Sequence, residues 1–199
     1  MSDQKSHIEN CLLNSFKAFV GSHFLLNCIN AIQSDVILNN HKSAFDLLQR
    51  FNKLYKSALR FSNDQFTSLT DETDFIQNYL ALEHIRFPNQ TASRVKTDVQ
   101  NSEANVPTFI LQSFIENAWL LALEINKSKM VVSIKTNNLD EVTCDISVEP
   151  KPHANFHSKV KTKTELALYR LDMLKEYHLL DYDISWNVDS FFRITLKLH

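Results

Sequence analysis

Phe16-Lys17-Ala18-Phe19-Val20-Gly21-Ser22-His23-Phe24-Leu25-Leu26-Asn27-Cys28-Ile29-Asn30 is the segment around which the chain is organised. Leu12, Phe16, Phe19 and Val20 recur at helical spacing, and Leu26 and Ile29 continue the stripe. His23 follows Phe19 by four residues and Phe16 by seven, which places it at the edge of the stripe. One side of such a position meets a partner helix and the other meets water. Imidazole is a nitrogen nucleophile at neutral pH, so a histidine there can accept a phosphoryl group and pass it on. On this segment alone, a histidine that merely packs at a helix edge is the alternative.

The helix around the segment is predicted from about Glu9 to about Asp35, and Asn39-Asn40-His41 is a short polar break. A second helix carries Ala44, Leu47, Leu48, Phe51, Leu54, Tyr55 and Ala58, an amphipathic pattern. Two long helices joined by a short turn form an antiparallel hairpin. A lone hairpin cannot cover both apolar faces, whereas two hairpins can cover each other as a four-helix bundle, so a homodimer is expected. Packing of the hairpin against the rest of its own chain is the alternative.

Beyond the hairpin, Ser62-Asn63-Asp64-Gln65 reads as a linker. Thr70 is the expected N-cap of a third helix, with Asp71, Glu72 and Asp74 near the positive end of its dipole. Phe75, Ile76, Tyr79, Leu80 and Leu82 supply its buried face, and it ends near Phe87-Pro88. Arg94 to Val99 alternates as a strand, and Pro107 is expected to open a fourth helix running through Ala118. Met130–Thr136 and Val142–Val148 flank Asn137-Asn138-Leu139-Asp140 as a hairpin, and 149–159 is a proline-containing loop. A fifth helix over about 164–177 precedes strands at 182–187 and 191–198. The expected class is therefore α+β, a helical hairpin followed by an α/β sandwich with helices on one face of a mixed sheet. The domains are drawn at 1–63 and 64–199.

With 199 residues, 44% hydrophobic and 22% charged, the chain is long enough for a real core. A net charge of −2 gives no pull toward nucleic acid or anionic membrane. Three cysteines without CxxC spacing fit reduced thiols in a cytoplasmic protein. No apolar run is long enough for a membrane segment, and the N-terminus lacks the apolar core of a signal peptide. Gly21 is the single glycine, which counts against any glycine-rich phosphate loop.

Several stretches together resemble the cytoplasmic part of bacterial sensor histidine kinases of the LytS/YehU type. His23-Phe24-Leu25-Leu26-Asn27-Cys28-Ile29-Asn30 is similar to the family's phosphoacceptor motif, and Leu59-Arg60-Phe61 to the end of its second helix. Glu72, Tyr79-Leu80-Ala81-Leu82-Glu83 and Arg86-Phe87 resemble its "E…Y-L-x-I-E…R-F" helix. Val106-Pro107, Leu111-Gln112 and Ile115-Glu116-Asn117-Ala118 resemble its "I-P…L-Q-P-L-V-E-N-A" stretch.

The resemblance implies roles. His23 would be the phosphoacceptor. Asn117, with Glu116 beside it, would help hold Mg²⁺ against the nucleotide phosphates in any version that still binds nucleotide. Residues 64–199 would have the ATP-binding fold shared by gyrase, the Hsp90 chaperones, histidine kinases and MutL. The hairpin would be the dimerisation and phosphotransfer domain, and response regulators would be partners.

The likeness breaks where ATP should be held. The family's D-x-G-x-G segment is replaced by Glu149-Pro150-Lys151-Pro152-His153, and its G-x-G-L by Lys163-Thr164-Glu165-Leu166-Ala167-Leu168. Backbone N–H groups at a glycine-rich helix start cradle phosphates, and Glu165 would repel them. Gly21-Ser22 stands in place of Asn-Pro in the acceptor motif. The expectation is a degenerate kinase with no cofactor, acting toward a response regulator either as a phosphotransferase that relays phosphate through His23 or as a pseudokinase. The alternatives are a Mg-ATP-dependent autokinase with unusual boxes and a non-catalytic scaffold that holds a regulator or an active histidine kinase.

Minor signals have plain explanations. His153, His157 and Cys144 have a metal-like spacing but fall around a solvated loop, so no metal site is expected. Lys159, Lys161 and Lys163 read as a lid remnant, and Trp119 and Trp186 as core or interface residues. Trp119 is also placed to fill an emptied nucleotide pocket.

Overall fold

A computed structural model describes residues 22–61, 64–100, 104–125, 127–137, 141–150, 164–185 and 192–198. Helices α1 (Ser22–Ile37) and α2 (His41–Phe61) form the hairpin. Asn39 closes α1 in the left-handed region at φ 60. Around it Asn40 N–H donates to Asp35 O (2.8 Å) and Asn39 N–H to Val36 O (3.1 Å). This is a Schellman cap with asparagine in the position glycine usually takes.

The α2 stripe buries Ala44, Leu47, Leu54, Ala58 and Phe61. Their cover comes from the same chain. Leu47 packs with Cys28 of α1 and with Leu82, while Leu54, Ala58 and Phe61 join the main core. The opposite side of the hairpin leaves Leu26, Ile29, Phe45, Leu48 and Leu59 exposed.

Strand β1 (Phe66–Ser68) leads into α3 (Leu69–Arg86) and pairs antiparallel with β3 (Asn105–Pro107). This small sheet was absent from the sequence expectation, because three residues are too few to show an alternation. The N-cap of α3 is Ser68 and not Thr70. Ser68 is extended, and its Oγ accepts the Asp71 N–H at 3.0 Å, whereas Thr70 already lies inside the helix. The helix ends at Arg86, as the Phe87-Pro88 pair predicted. Strand β2 (Thr91–Asp98) begins three residues before the predicted Arg94.

Pro107 ends β3 and does not open a helix. Helix α4 (Ile110–Leu123) starts after Phe109, which sits at φ 61. At the Thr108–Phe109 turn the Thr108 N–H donates to the Gln65 carbonyl, and a buried carboxylate from α3, described below, captures the Phe109 N–H. Strands β4 (Ser128–Thr136) and β5 (Glu141–Glu149), helix α5 (Glu165–Glu176), and strands β6 (Leu180–Ser185) and β7 (Phe192–Leu198) complete the described chain.

The main sheet has the order β2-β4-β5-β7-β6, with β2 and β4 parallel and every other pair antiparallel. Strand alternation sorts its faces. Met130, Val132, Ile134, Val142, Cys144, Ile146, Ile194 and Leu196 are buried in one core with residues of α3, α4 and α5. The other face carries Lys129, Lys135, Asp145 and Arg193, with Arg193 Nε donating to Asp145 at 2.6 Å. The result is the two-layer, mixed-sheet sandwich the sequence suggested.

Candidate functional site

His23 lies in the first described turn of α1, immediately before Phe24. Phe24 packs on Tyr79 of α3, ring centroids 5.7 Å apart, and lies 5.6 Å from the Arg86 guanidinium carbon. One turn further along, Cys28 is fully buried with Leu47 and Leu82. Burial pushes the Cys28 thiol up to about 12, so it is a packing residue and not a nucleophile.

The α3 surface beneath α1 carries a buried charge pair. Glu83 is 1% exposed, and its carboxylate accepts from Arg86 and, at 3.0 Å, from the Trp119 indole N–H of α4. Burial raises the Glu83 pKa, opposed by Arg86 and by the indole bond. Arg86 is also 5.0 Å from the Phe87 ring. Beside the pair, His84 meets Trp119 edge to face at 5.2 Å and accepts the Ser93 N–H at Nε2 (3.0 Å). Burial lowers the His84 pKa, consistent with a neutral ring.

Trp119 therefore faces α3 as a core residue. Helical geometry explains the placement: Ile115 and Trp119 lie one turn apart on the buried side of α4, and Glu83 supplies the acceptor an indole N–H needs when buried.

Asn117 and Glu116 are half-buried on α4. The Asn117 Nδ2 donates to the Ser113 carbonyl one turn back, at 2.7 Å. Between α4, α5 and β6 lies a cleft of about 500 Å³, lined by Phe114, Thr164, Leu168, Asp172, Lys175 and Tyr182 among others. Its charges are set against anions. Asp172 accepts from the Tyr182 hydroxyl, Asp183 lies nearby, and Lys175 is paired with Asp181 at 3.4 Å. Helix α5 opens with Thr164, whose side chain makes no capping bond, followed by Glu165.

A second buried charge cluster joins α3, α4 and α5. Glu72 accepts the N–H groups of Phe109 (3.0 Å) and Gln112 (3.1 Å). Arg170 of α5 is 2% exposed and donates to the carbonyls of Thr108 and, at 2.9 Å, Gln65. The sequence expectation did not single out Arg170. Its signal was an arginine three residues after Ala167 and four before Leu174, on the apolar side of α5, which requires buried acceptors.

Cys144 is buried in β5, and no cluster of three or more metal-binding side chains occurs among the described residues. His153, His157, Lys159, Lys161, Lys163 and Trp186 lie outside the described residues. No helix among those described is long and apolar enough to cross a membrane.

Residues 12–91 match the protein-family model for histidine kinases. The sensor histidine kinase BtsS of Escherichia coli K12 is 26% identical over 200 aligned residues, covering 98% of this chain and 34% of the relative. The sensor protein LytS of Staphylococcus haemolyticus is 26% identical over 138 residues, covering 69% of this chain and 24% of the relative. The chain thus spans about a third of the length of one of these curated relatives and about a quarter of the other. Among solved structures, a bacterial phosphotransferase shares the fold with a TM-score of 0.51 at 12% identity, across 94% of this chain and 95% of the other.

Proposed function

Given that this chain belongs to the LytS-type sensor histidine kinase family, we propose that it acts in two-component signalling as a histidine phosphotransferase toward a response regulator. Residues 1–63 form the phosphotransfer unit and 64–199 an ATPase-like unit that has lost nucleotide chemistry. In the transfer, the unprotonated ring nitrogen of His23 attacks the phosphorus of a regulator's aspartyl phosphate. The N–P bond forms and the P–O bond breaks, its electron pair returning to the regulator's carboxylate. The other ring nitrogen keeps its proton or exchanges it with water. Transfer to a second regulator runs the same step in reverse.

The observation that carries this reading is the start of α5. Mg-ATP is the cofactor a kinase reading requires, and the residues present fit it poorly. No glycine occurs among the described residues, Glu165 stands in the first turn, and the adjoining cleft is lined by Asp172 and Asp183. A polyphosphate needs donors there, and carboxylates repel it.

We also propose that the hairpin dimerises. Leu26 (54% exposed), Ile29 (47%), Phe45 (58%) and Leu48 (51%) leave an apolar surface on α1 and α2 that a second hairpin would cover.

The test pairs calorimetry with transfer. Mg-ATP titrated into the folded protein is expected to give no heat, and binding would restore the autokinase reading. A phosphorylated response regulator is expected to lose phosphate to the wild-type chain and not to His23→Gln. Retention of transfer in that variant refutes His23 as the acceptor, and absence of transfer in the wild type leaves the scaffold reading.

A further inference from the structure

We infer that Arg86 is a positioning residue for phosphoryl transfer at His23, acting through Phe24; this rests on the function proposed above. In the described part of α1, Cys28 is the fully buried residue, and Phe24 is the residue one turn nearer His23 that reaches α3. The end of α1 that carries His23 is therefore held on α3 through the Phe24 ring. Among the contacts of that ring are Tyr79 at 5.7 Å and the Arg86 guanidinium at 5.6 Å.

The guanidinium is itself fixed. Its side chain is 8% exposed and donates to Glu83. Glu83 is fixed in turn by the Trp119 indole N–H at 3.0 Å. A buried ion pair adds little net stability over apolar packing, but it orients its members. Here the oriented member presents a cation to an aromatic ring, a contact of defined geometry. Arg86 is engaged by Glu83 and Phe24, so it acts through Phe24 and not by binding the phosphoryl group. The chain Trp119–Glu83–Arg86–Phe24 ties α4, α3 and α1 together at the residue adjoining the acceptor. Transfer between two proteins needs the attacking nitrogen in line with the breaking bond, and small misplacements of such an atom are costly.

The experiment uses the full chain as Phe24→Leu, Arg86→Met, the double variant and Arg86→Lys. Phe24→Leu keeps an apolar side chain and leaves the Glu83–Arg86 pair intact, so it stays informative if Arg86→Met fails to fold. Each folded single variant is expected to slow transfer from a phosphorylated regulator roughly tenfold or more. The double variant should be no slower than the worse single, and Arg86→Lys should recover part of the rate. Phosphoramidate, a small donor that needs no docking, should phosphorylate wild type and variants at the same rate. An unchanged transfer rate in Phe24→Leu, or losses that multiply in the double variant, overturns the inference. The His23 imidazole ¹⁵N signals give a readout independent of transfer, and Phe24→Leu is expected to shift or broaden them. If the wild type takes no phosphate from a regulator, the function proposed above fails, while unchanged imidazole signals overturn the positioning role by itself.

Discussion

Glu72 in the first turn of α3 accepts the backbone N–H of Gln112 in the first turn of α4, 3.1 Å away and 40 residues on in sequence. Its other oxygen takes the Phe109 N–H. A side chain of one helix therefore caps the next, where α4 has no side-chain cap of its own. This capture holds Phe109 in the left-handed region, sets where α4 begins, and so sets the heights of Asn117 and Trp119 along the sandwich.

Burial pushes Glu72 up to about 7 from the ordinary 4.5. The native state then holds a proton that the unfolded chain has released across that window. The contribution of Glu72 to stability is complete below about pH 4.5 and falls as pH rises toward about 7. Glu72→Gln cannot titrate. Its destabilisation relative to wild type is therefore expected to be largest at low pH and to narrow toward neutrality. Urea midpoints of both proteins between pH 5 and 8 measure this, and a difference independent of pH would contradict it.

Trp119→Phe keeps a ring in place and removes the donor to Glu83. An under-satisfied buried carboxylate costs about 1–3 kcal/mol. Leu120→Ala, next in sequence but 39% exposed, should cost clearly less. Equal losses in urea unfolding would mean that the indole bond has no special weight.

Leu82→Ala removes a fully buried side chain where the hairpin meets α3. A cost of about 2–5 kcal/mol is expected. Because Leu82 packs on Cys28 and Leu47, hydrogen exchange should rise in α1 and α2 more than in β4 and β5. Uniform exchange across the chain would show that the hairpin does not open separately.

Phe45→Glu with Leu48→Glu places charge on the exposed face of α2. Sedimentation should show a dimer for wild type and a monomer for the double variant. Stability of the monomer fold should change by no more than about 0.5 kcal/mol per site. A variant that still dimerises would move the interface away from this face.

The elements with a strong period were legible before any coordinates. The α2 stripe, the β4–β5 pair and the α5 span follow from local hydrophobic alternation, which burial then reproduces. Helix starts were less legible. Ser68 outranks Thr70, and Phe109 outranks Pro107, because each start depends on which distant or neighbouring group meets the orphan N–H groups.

The same division holds for the candidate site. The sequence by itself picked out His23, Asn117 and Glu116 as positions in motifs, along with the missing glycines, because residue identity and spacing are local properties. Tertiary structure alone decided that Trp119 turns to Glu83, that Arg170 reaches Thr108 and Gln65, and that Arg86 meets Phe24. Those pairings join residues 36 to 105 positions apart, and in the last of them the hairpin brings α1 onto α3. A buried charge or indole declares only that it needs a partner, and the packing of the helices determines which one it finds.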